Sequence, residues 1–308
     1  MTLEAWIPTL LTIITAATPL VFAATGELVT EKSGVLNLGV EGMMLTGAVT
    51  GFASVVFFDN AIVGCLAAMA AGVLTALIFA FLVLSLQASQ VATGLALTIF
   101  GIGLSALLGQ GMVGIAYDGL PRLNVPGLTD LPVVGRLLFG HDALVYLSVA
   151  LPFAVGYFLY RTRAGLILRA VGDSHDAAHA IGYPVIAIRY LATAFGGAMA
   201  GLAGAYLSLS YSPMWVENMV AGRGWIALAL VVFGTWRPAR VFLGAYLFGG
   251  ITILQLHAQA FGIHVPSQFM SMLPYVATIL VLVLISRDHT RIRLNAPACI
   301  GKPFHPAA

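Results

Sequence analysis

Nine long apolar runs separated by short polar segments dominate this sequence, and they restrict its fold more than any other feature. They fall at about 5–25, 35–58, 60–86, 91–113, 142–160, 185–210, 224–235, 241–261 and 268–286. A helix rises 1.5 Å per residue, so about 20 apolar residues cross the ~30 Å hydrocarbon core of a bilayer. The run between Gly224 and Trp236, about 12 residues, is too short to cross alone. It reads as a half-helix, or as a span extended by the loop before it. The pattern predicts an all-α polytopic membrane bundle of about nine spans (eight to ten), with at least one broken or half helix. Composition agrees. Only 8% of the 308 residues are charged, 14 Lys and Arg with 12 Asp and Glu, against about 25% in soluble domains. So little polar surface excludes a soluble enzyme, a nucleic-acid binder and a disordered scaffold.

Charge placement predicts orientation. If 161–184 faces the cytoplasm, the segments at 26–34, 87–90, 161–184 and 236–240 and the C-terminal tail face it too. Those segments, with Arg189, hold eleven Lys and Arg; only Arg122, Arg136 and Arg223 fall on the other side. Cytoplasmic segments carry the excess of bases, so the N-terminus is expected outside. No Lys or Arg precedes the first apolar run, which therefore reads as a retained span rather than a cleavable signal. Residues 1–293 form one expected transmembrane domain. Within it 26–34 is a charged turn and 161–184 a cytoplasmic loop, and 294–308 reads as an ill-ordered cytoplasmic tail. Cys65 and Cys299 make no disulfide framework.

Glycine is abundant, and Gly47 with Gly51 and Gly197 with Gly201 are four apart within spans. Membrane helices associate by close approach at small residues, so these positions predict tight packing. The chain has two lysines, Lys32 and Lys302, and neither completes a phosphate-binding GxxxxGK[ST] loop. His175 and His179 are four apart but lack a third ligand nearby, and read as a solvated helix face rather than a metal site.

Three segments carry candidate function. The second span opens SGVLNLGVEGMM, 33–44, in which Asn37 and Glu41 share a face if the segment is helical. A charge within a membrane helix is costly and usually functional. Glu41 either belongs to a broken helix lining a path, or lies shallow and pairs with Lys32 or a backbone donor. Thr252, Gln255 and Gln259 form one stripe of the eighth span, facing either a pore or neighbouring helices. The basic loop 161–184 contains a short helix, capped by Asp173 or Ser174, with Asp176 in its first turn and Gly182 and Pro184 at its end. Caps at both ends suit a helix that docks on a partner.

Together these segments resemble the permease subunits of ABC importers for simple sugars and nucleosides. GVLNLGVEGMM is similar to the signature of the nucleoside-type members. The stretch 168–182 is similar to the family's cytoplasmic loop, and AGRGWIALALVVFGTWRP, 221–238, to a third family segment. The chain has Asp173-Ser174-His175 where the family usually has Glu-Asn-Pro, and its tail after Arg293 matches no family pattern. The resemblance implies a non-enzymatic pore subunit of a bacterial cell (inner) membrane, working with a second permease, identical or not. It also implies an ATPase subunit that binds the ATP and an extracytoplasmic substrate-binding lipoprotein. No cofactor, metal or nucleic acid is implied on this chain. Asn37, Glu41, Thr252, Gln255 and Gln259 would line the path; Arg169, Gly172, Asp173, Ser174, Asp176 and Gly182 would couple to the ATPase. The alternative is an ion-coupled secondary transporter using Glu41, which would work alone and need no docking loop.

Overall fold

The computed structural model describes residues 6–123, 134–260 and 295–305, together with positions 269, 272, 273, 276, 277, 279, 280 and 283. Among them every regular element is helical, apart from two isolated bridges, Ala116 with Met214 and Arg122 with Asp142. Helices suit lipid because they satisfy their backbone hydrogen bonds within one segment. The order is α1 (Ile7–Lys32), α2 (Val40–Phe58), α3 (Ala61–Ala80), α4 (Gln90–Gly109), α5 (Val134–Phe139) and α6 (Ala143–Arg161). It continues with α7 (Arg163–Asp173), α8 (His175–Ala180), α9 (Val185–Tyr206), α10 (Arg223–Phe233) and α11 (Pro238–Ala260). One π-helical turn prolongs α3 to Ser85 and another prolongs α9 to Tyr211. Short polar side chains start helices after the loops: Asn60 Oδ1 accepts from Ile62 N at 2.9 Å, and Asp142 Oδ1 from Val145 N at 3.1 Å.

The described residues contain six helices long and apolar enough to cross a membrane: α1, α2, α3 and α9 with their π-turns, α4 and α6. That is fewer than the nine expected of the whole chain. α10 is the half-helix anticipated near 224–235, and α11 covers the run at 241–261. The run at 268–286 lies mostly outside the described residues.

α9 sits at the centre, packed on α1, α2 and α3. Small residues allow this. A Cβ on Gly201 would strike the Ala68 carbonyl, one on Gly197 the Gly72 carbonyl, and one on Gly47 the Gly201 backbone. The expected close approach at 47 and at 197–201 is therefore realised, with α2 and α3 both seated on α9. The outer helices turn large side chains outward: Ile62 of α3 is 70% exposed, Ile99 of α4 72% and Phe153 of α6 65%. In a bilayer those surfaces meet acyl chains.

One expectation fails at the Lys32 end. Residues 26–34 are not a turn: α1 continues through them to Lys32, with Glu27 and Glu31 buried. The partners of Glu31 and Lys32 are remote in sequence. Trp236 Nε1 donates to Glu31 Oε2 at 2.5 Å, and Lys32 Nζ donates to Asn295 O at 2.6 Å. Residues 295–305 pack at the same end. They lie as a strap across the bundle, with Cys299 and Phe304 buried. Cys299 N donates to Gly172 O at 2.9 Å, Gly301 N to Gly34 O at 3.1 Å, and Gln87 Nε2 to Phe304 O at 3.3 Å.

Candidate functional site

After Lys32 the chain does not begin the next helix at once. Residues 35–37 are irregular and α2 starts only at Val40. Irregular backbone at membrane depth must find partners in the protein, and side chains of α1 and α4 supply them. Leu36 N donates to Gln90 Oε1 at 2.7 Å and Asn37 N to Glu27 Oε1 at 3.2 Å; Thr98 Oγ1 donates to Leu38 O at 3.1 Å. Asn37 uses its own Oδ1 to accept from Gly39 N at 3.0 Å. Asn37 and Glu41 therefore do not share a helical face. Asn37 braces the segment before the helix, and Glu41 stands in the helix's first turn. The glycines are there for contact: a Cβ on Gly42 would meet the Leu97 carbonyl and one on Gly94 the Leu38 backbone.

Glu41 is buried and does not pair with Lys32. Its carboxylate caps α10 from another helix: Gly222 N donates to Oε1 at 2.7 Å and Gly224 N to Oε2 at 2.6 Å. The first amides of a helix lack internal partners and carry its positive pole. A carboxylate satisfies both requirements. Gly222, at φ 84°, supplies the left-handed turn into α10, and a Cβ on Gly224 would lie 2.6 Å from the Glu41 backbone nitrogen. At the other end of α10 Trp236 reaches Glu31. Eleven residues span about 16 Å, so the two carboxylates hold opposite ends of a helix about half a bilayer long.

A cavity of about 230 Å³ opens beside the start of α10. Its polar lining comes from Tyr211, Arg223, Thr252 and Gln255, and its apolar wall includes Leu20, Ile226 and Phe248. Arg223 lies over the Tyr211 ring at 5.3 Å and donates to Met219 O at 3.2 Å and Val220 O at 3.1 Å. Two members of the predicted stripe, Thr252 and Gln255, thus reach the cavity; the Gln259 side chain lies outside the described residues. Asn37 and Glu41 do not line it, and Glu41 instead builds its edge. Arg223 and Tyr211 were not legible as site residues: the sequence reads as a polar loop there, whereas Tyr211 ends the π-turn after α9 and Arg223 opens α10.

The segment 161–184 folds as a helical hairpin, α7 and α8, rather than a loop with one short helix. Thr162 caps α7, its Oγ1 accepting from Gly165 N at 3.0 Å, and Ser174 caps α8, its Oγ accepting from Ala177 N at 3.3 Å. The cap is therefore Ser174; Asp173 closes α7. Asp176 is exposed in the first turn of α8, and Gly182, at φ 91°, ends the hairpin. Gly172 rests on the Lys32 carbonyl, where a Cβ would clash. Arg169 turns back, its Nε donating to Leu159 O at 2.9 Å while its guanidinium covers Tyr160 at 5.0 Å.

His175 is buried, not on a solvated face. Arg189 Nη2 lies 3.2 Å from its Nδ1, and Asp176 Oδ1 lies 3.5 Å from its Nε2. A guanidinium only donates, so Nδ1 accepts and the ring is neutral with its proton on Nε2. Burial, and then the Arg189 charge, hold the ring below its ordinary pKa; Lys302 and His305 act the same way and Asp176 opposes them. The unfolded ring binds a proton first as pH falls through about 6.5. Stability present above that pH is therefore lost as it falls toward the lower folded value. Hydrogen exchange over 175–182, corrected for intrinsic rate, is expected to quicken between about pH 7.5 and about pH 5.5. In His175→Phe that dependence should vanish.

Residues 9–284 match the family described as branched-chain amino acid transport system / permease component. A putative glucose ABC transporter permease of Haloferax volcanii is 41% identical over 95% of both chains. A guanosine ABC transporter permease of Bacillus subtilis is 33% identical, over 94% of this chain and 93% of its own. A nucleoside ABC transporter permease of Lactococcus lactis is 33% identical, over 87% and 89%. The chain belongs to this family of ABC transporter permeases. It is a multi-pass membrane protein and a transmembrane permease subunit of an ABC importer, and its relatives give no support to an ion-coupled carrier.

Proposed function

We propose that the chain carries a nucleoside or simple sugar through the cavity at the start of α10, in an importer powered by a separate ATPase. The observation that carries this is the half-helix itself. α10 points the amide end capped by Glu41 toward a cavity lined by a guanidinium, a phenol, a hydroxyl and an amide. Broken helices in transporters place such termini at substrate sites. The polar lining suits a polyhydroxylated solute better than a branched aliphatic side chain, and the similar permeases reported above are named for glucose, guanosine and nucleosides.

In this reading Tyr211, Arg223, Thr252 and Gln255 contact the solute, and Asn37 and Glu41 hold the framework. The α7–α8 hairpin faces the cytoplasm, as the excess of bases at that end favours, and meets the ATPase, which alone binds ATP. A second permease and an extracytoplasmic binding lipoprotein complete the importer in the cell membrane. α10, α11 and the run at 268–286 bring the span count toward nine.

A competition series tests the substrate class. In cells carrying the chain with its partners, unlabelled guanosine or glucose is expected to suppress uptake of its own label, and leucine is not. Suppression by leucine alone would contradict the reading.

A further inference from the structure

We propose that Arg189 and the C-terminal strap link the α7–α8 hairpin mechanically to the irregular segment before α2. This rests on the permease reading and adds to it the route by which the hairpin acts on the path.

Arg189 is fully buried in the first turns of α9. Its fork joins three elements: the end of α1, the start of α8 and the strap. Nε donates to Ser33 O at 3.1 Å, Nη1 to Lys302 O at 3.3 Å, and Nη2 to His175 Nδ1 at 3.2 Å. Its described contacts are thus two carbonyls and an imidazole from three elements, with no carboxylate among them. A rigid planar donor set of this kind fixes relative positions, which a flexible ammonium would not. Burying it is costly unless each donor is used.

The strap closes the same junction from outside. Cys299 N holds Gly172 O, Gly301 N holds Gly34 O, and Phe304 packs edge-on against His175 and His179 at 5.2 and 5.3 Å. Lys32 and Arg237 both reach Asn295. The hairpin is thus bonded through Gly172 and His175 to Gly34 and Ser33. From Ser33 the chain runs to Glu41, and Glu41 holds the first amides of α10 beside the cavity. A displacement of α8 has a bonded route to the solute site. Contiguity alone does not establish coupling, so the test must read coupling separately from folding.

Four variants are compared with wild type: Arg189→Lys, Phe304→Ala, removal of residues 295–308, and Arg189→Lys combined with that removal. Each is assayed for membrane insertion, retention of the ATPase, ATP hydrolysis, and uptake of whichever of guanosine and glucose wild type takes up. The proposal expects insertion and ATPase retention near wild type. It expects uptake reduced at least tenfold, and hydrolysis that no longer responds to solute. The combined variant should transport less than either single change, because Arg189 bonds His175 to Ser33 directly while the strap bonds Gly172 and Gly34 in parallel. Uptake within twofold of wild type in inserted variants would overturn the proposal. So would joint loss of ATPase retention and uptake, which would make the strap part of the docking surface. If the truncation fails to insert, Phe304→Ala, outside every span, decides by the same criteria. A wild type that retains no ATPase would instead overturn the permease reading itself.

Discussion

Replacing Gly201 by leucine is expected to remove the protein from the membrane fraction. A Cβ there would press on the Ala68 carbonyl and lie 3.2 Å from Gly72 Cα, while Gly47 packs on the same residue from α2. These are backbone atoms and cannot swing aside. Overpacking a tight core costs about 1–3 kcal/mol, more where nothing yields, and here three central helices would have to part. Gly103 provides the control, since a Cβ there meets nothing within 4 Å. Gly103→Leu should accumulate like wild type. Equal abundance and equal thermal stability in detergent for the two variants would show that α9 is not the packing centre.

Removing the Glu41 side chain is expected to abolish transport while leaving the spans inserted. Glu41→Ala strips two amides, Gly222 N and Gly224 N, of their acceptors. A buried donor left unpaired costs about 1–3 kcal/mol, and Gly224, the buried one of the two, has no other described partner. α10 should then shift, and the cavity built on its first turn with it. Uptake should fall at least about a hundredfold, the rate equivalent of about 3 kcal/mol. Glu41→Gln keeps one carbonyl acceptor and should retain part of the uptake. Wild-type uptake in both variants, at equal abundance, would reduce Glu41 to a bystander.

Much of the architecture was legible from local pattern. Apolar runs located α2, α3, α4, α6 and α9 closely, because a helix in lipid needs only length and apolarity. The short run at 224–235 proved to be the half-helix α10 for the same reason. What stayed hidden depended on partners far along the chain. Residues 26–34 looked like a turn because Glu27, Glu31 and Lys32 are charged. Nothing nearby reveals that Trp236 and Asn295, more than 200 residues on, satisfy two of them. Arg189 looked like one more base at a membrane edge, yet it is the buried centre of a junction. His175 looked solvated because α8 is polar; Phe304, from the strap, covers it.

The candidate site was half legible. The stripe of Thr252 and Gln255 follows from helical spacing, and both reach the cavity. Glu41 was identifiable as costly, but its role as cap depends on the fold of the 221–224 turn. Tyr211 ends the π-turn after α9 and Arg223 opens α10, and the cavity forms where these two helix ends meet, which periodicity cannot register.

Energy coupling is the central claim, and co-reconstitution tests it most directly. The chain would be placed in vesicles with the proposed ATPase, second permease and binding lipoprotein, and uptake of labelled guanosine and glucose measured. Accumulation of at least one should require ATP on the side that carries the α7–α8 hairpin and should survive a protonophore. Uptake without ATP, driven by an imposed proton or sodium gradient and abolished when that gradient collapses, would contradict the account.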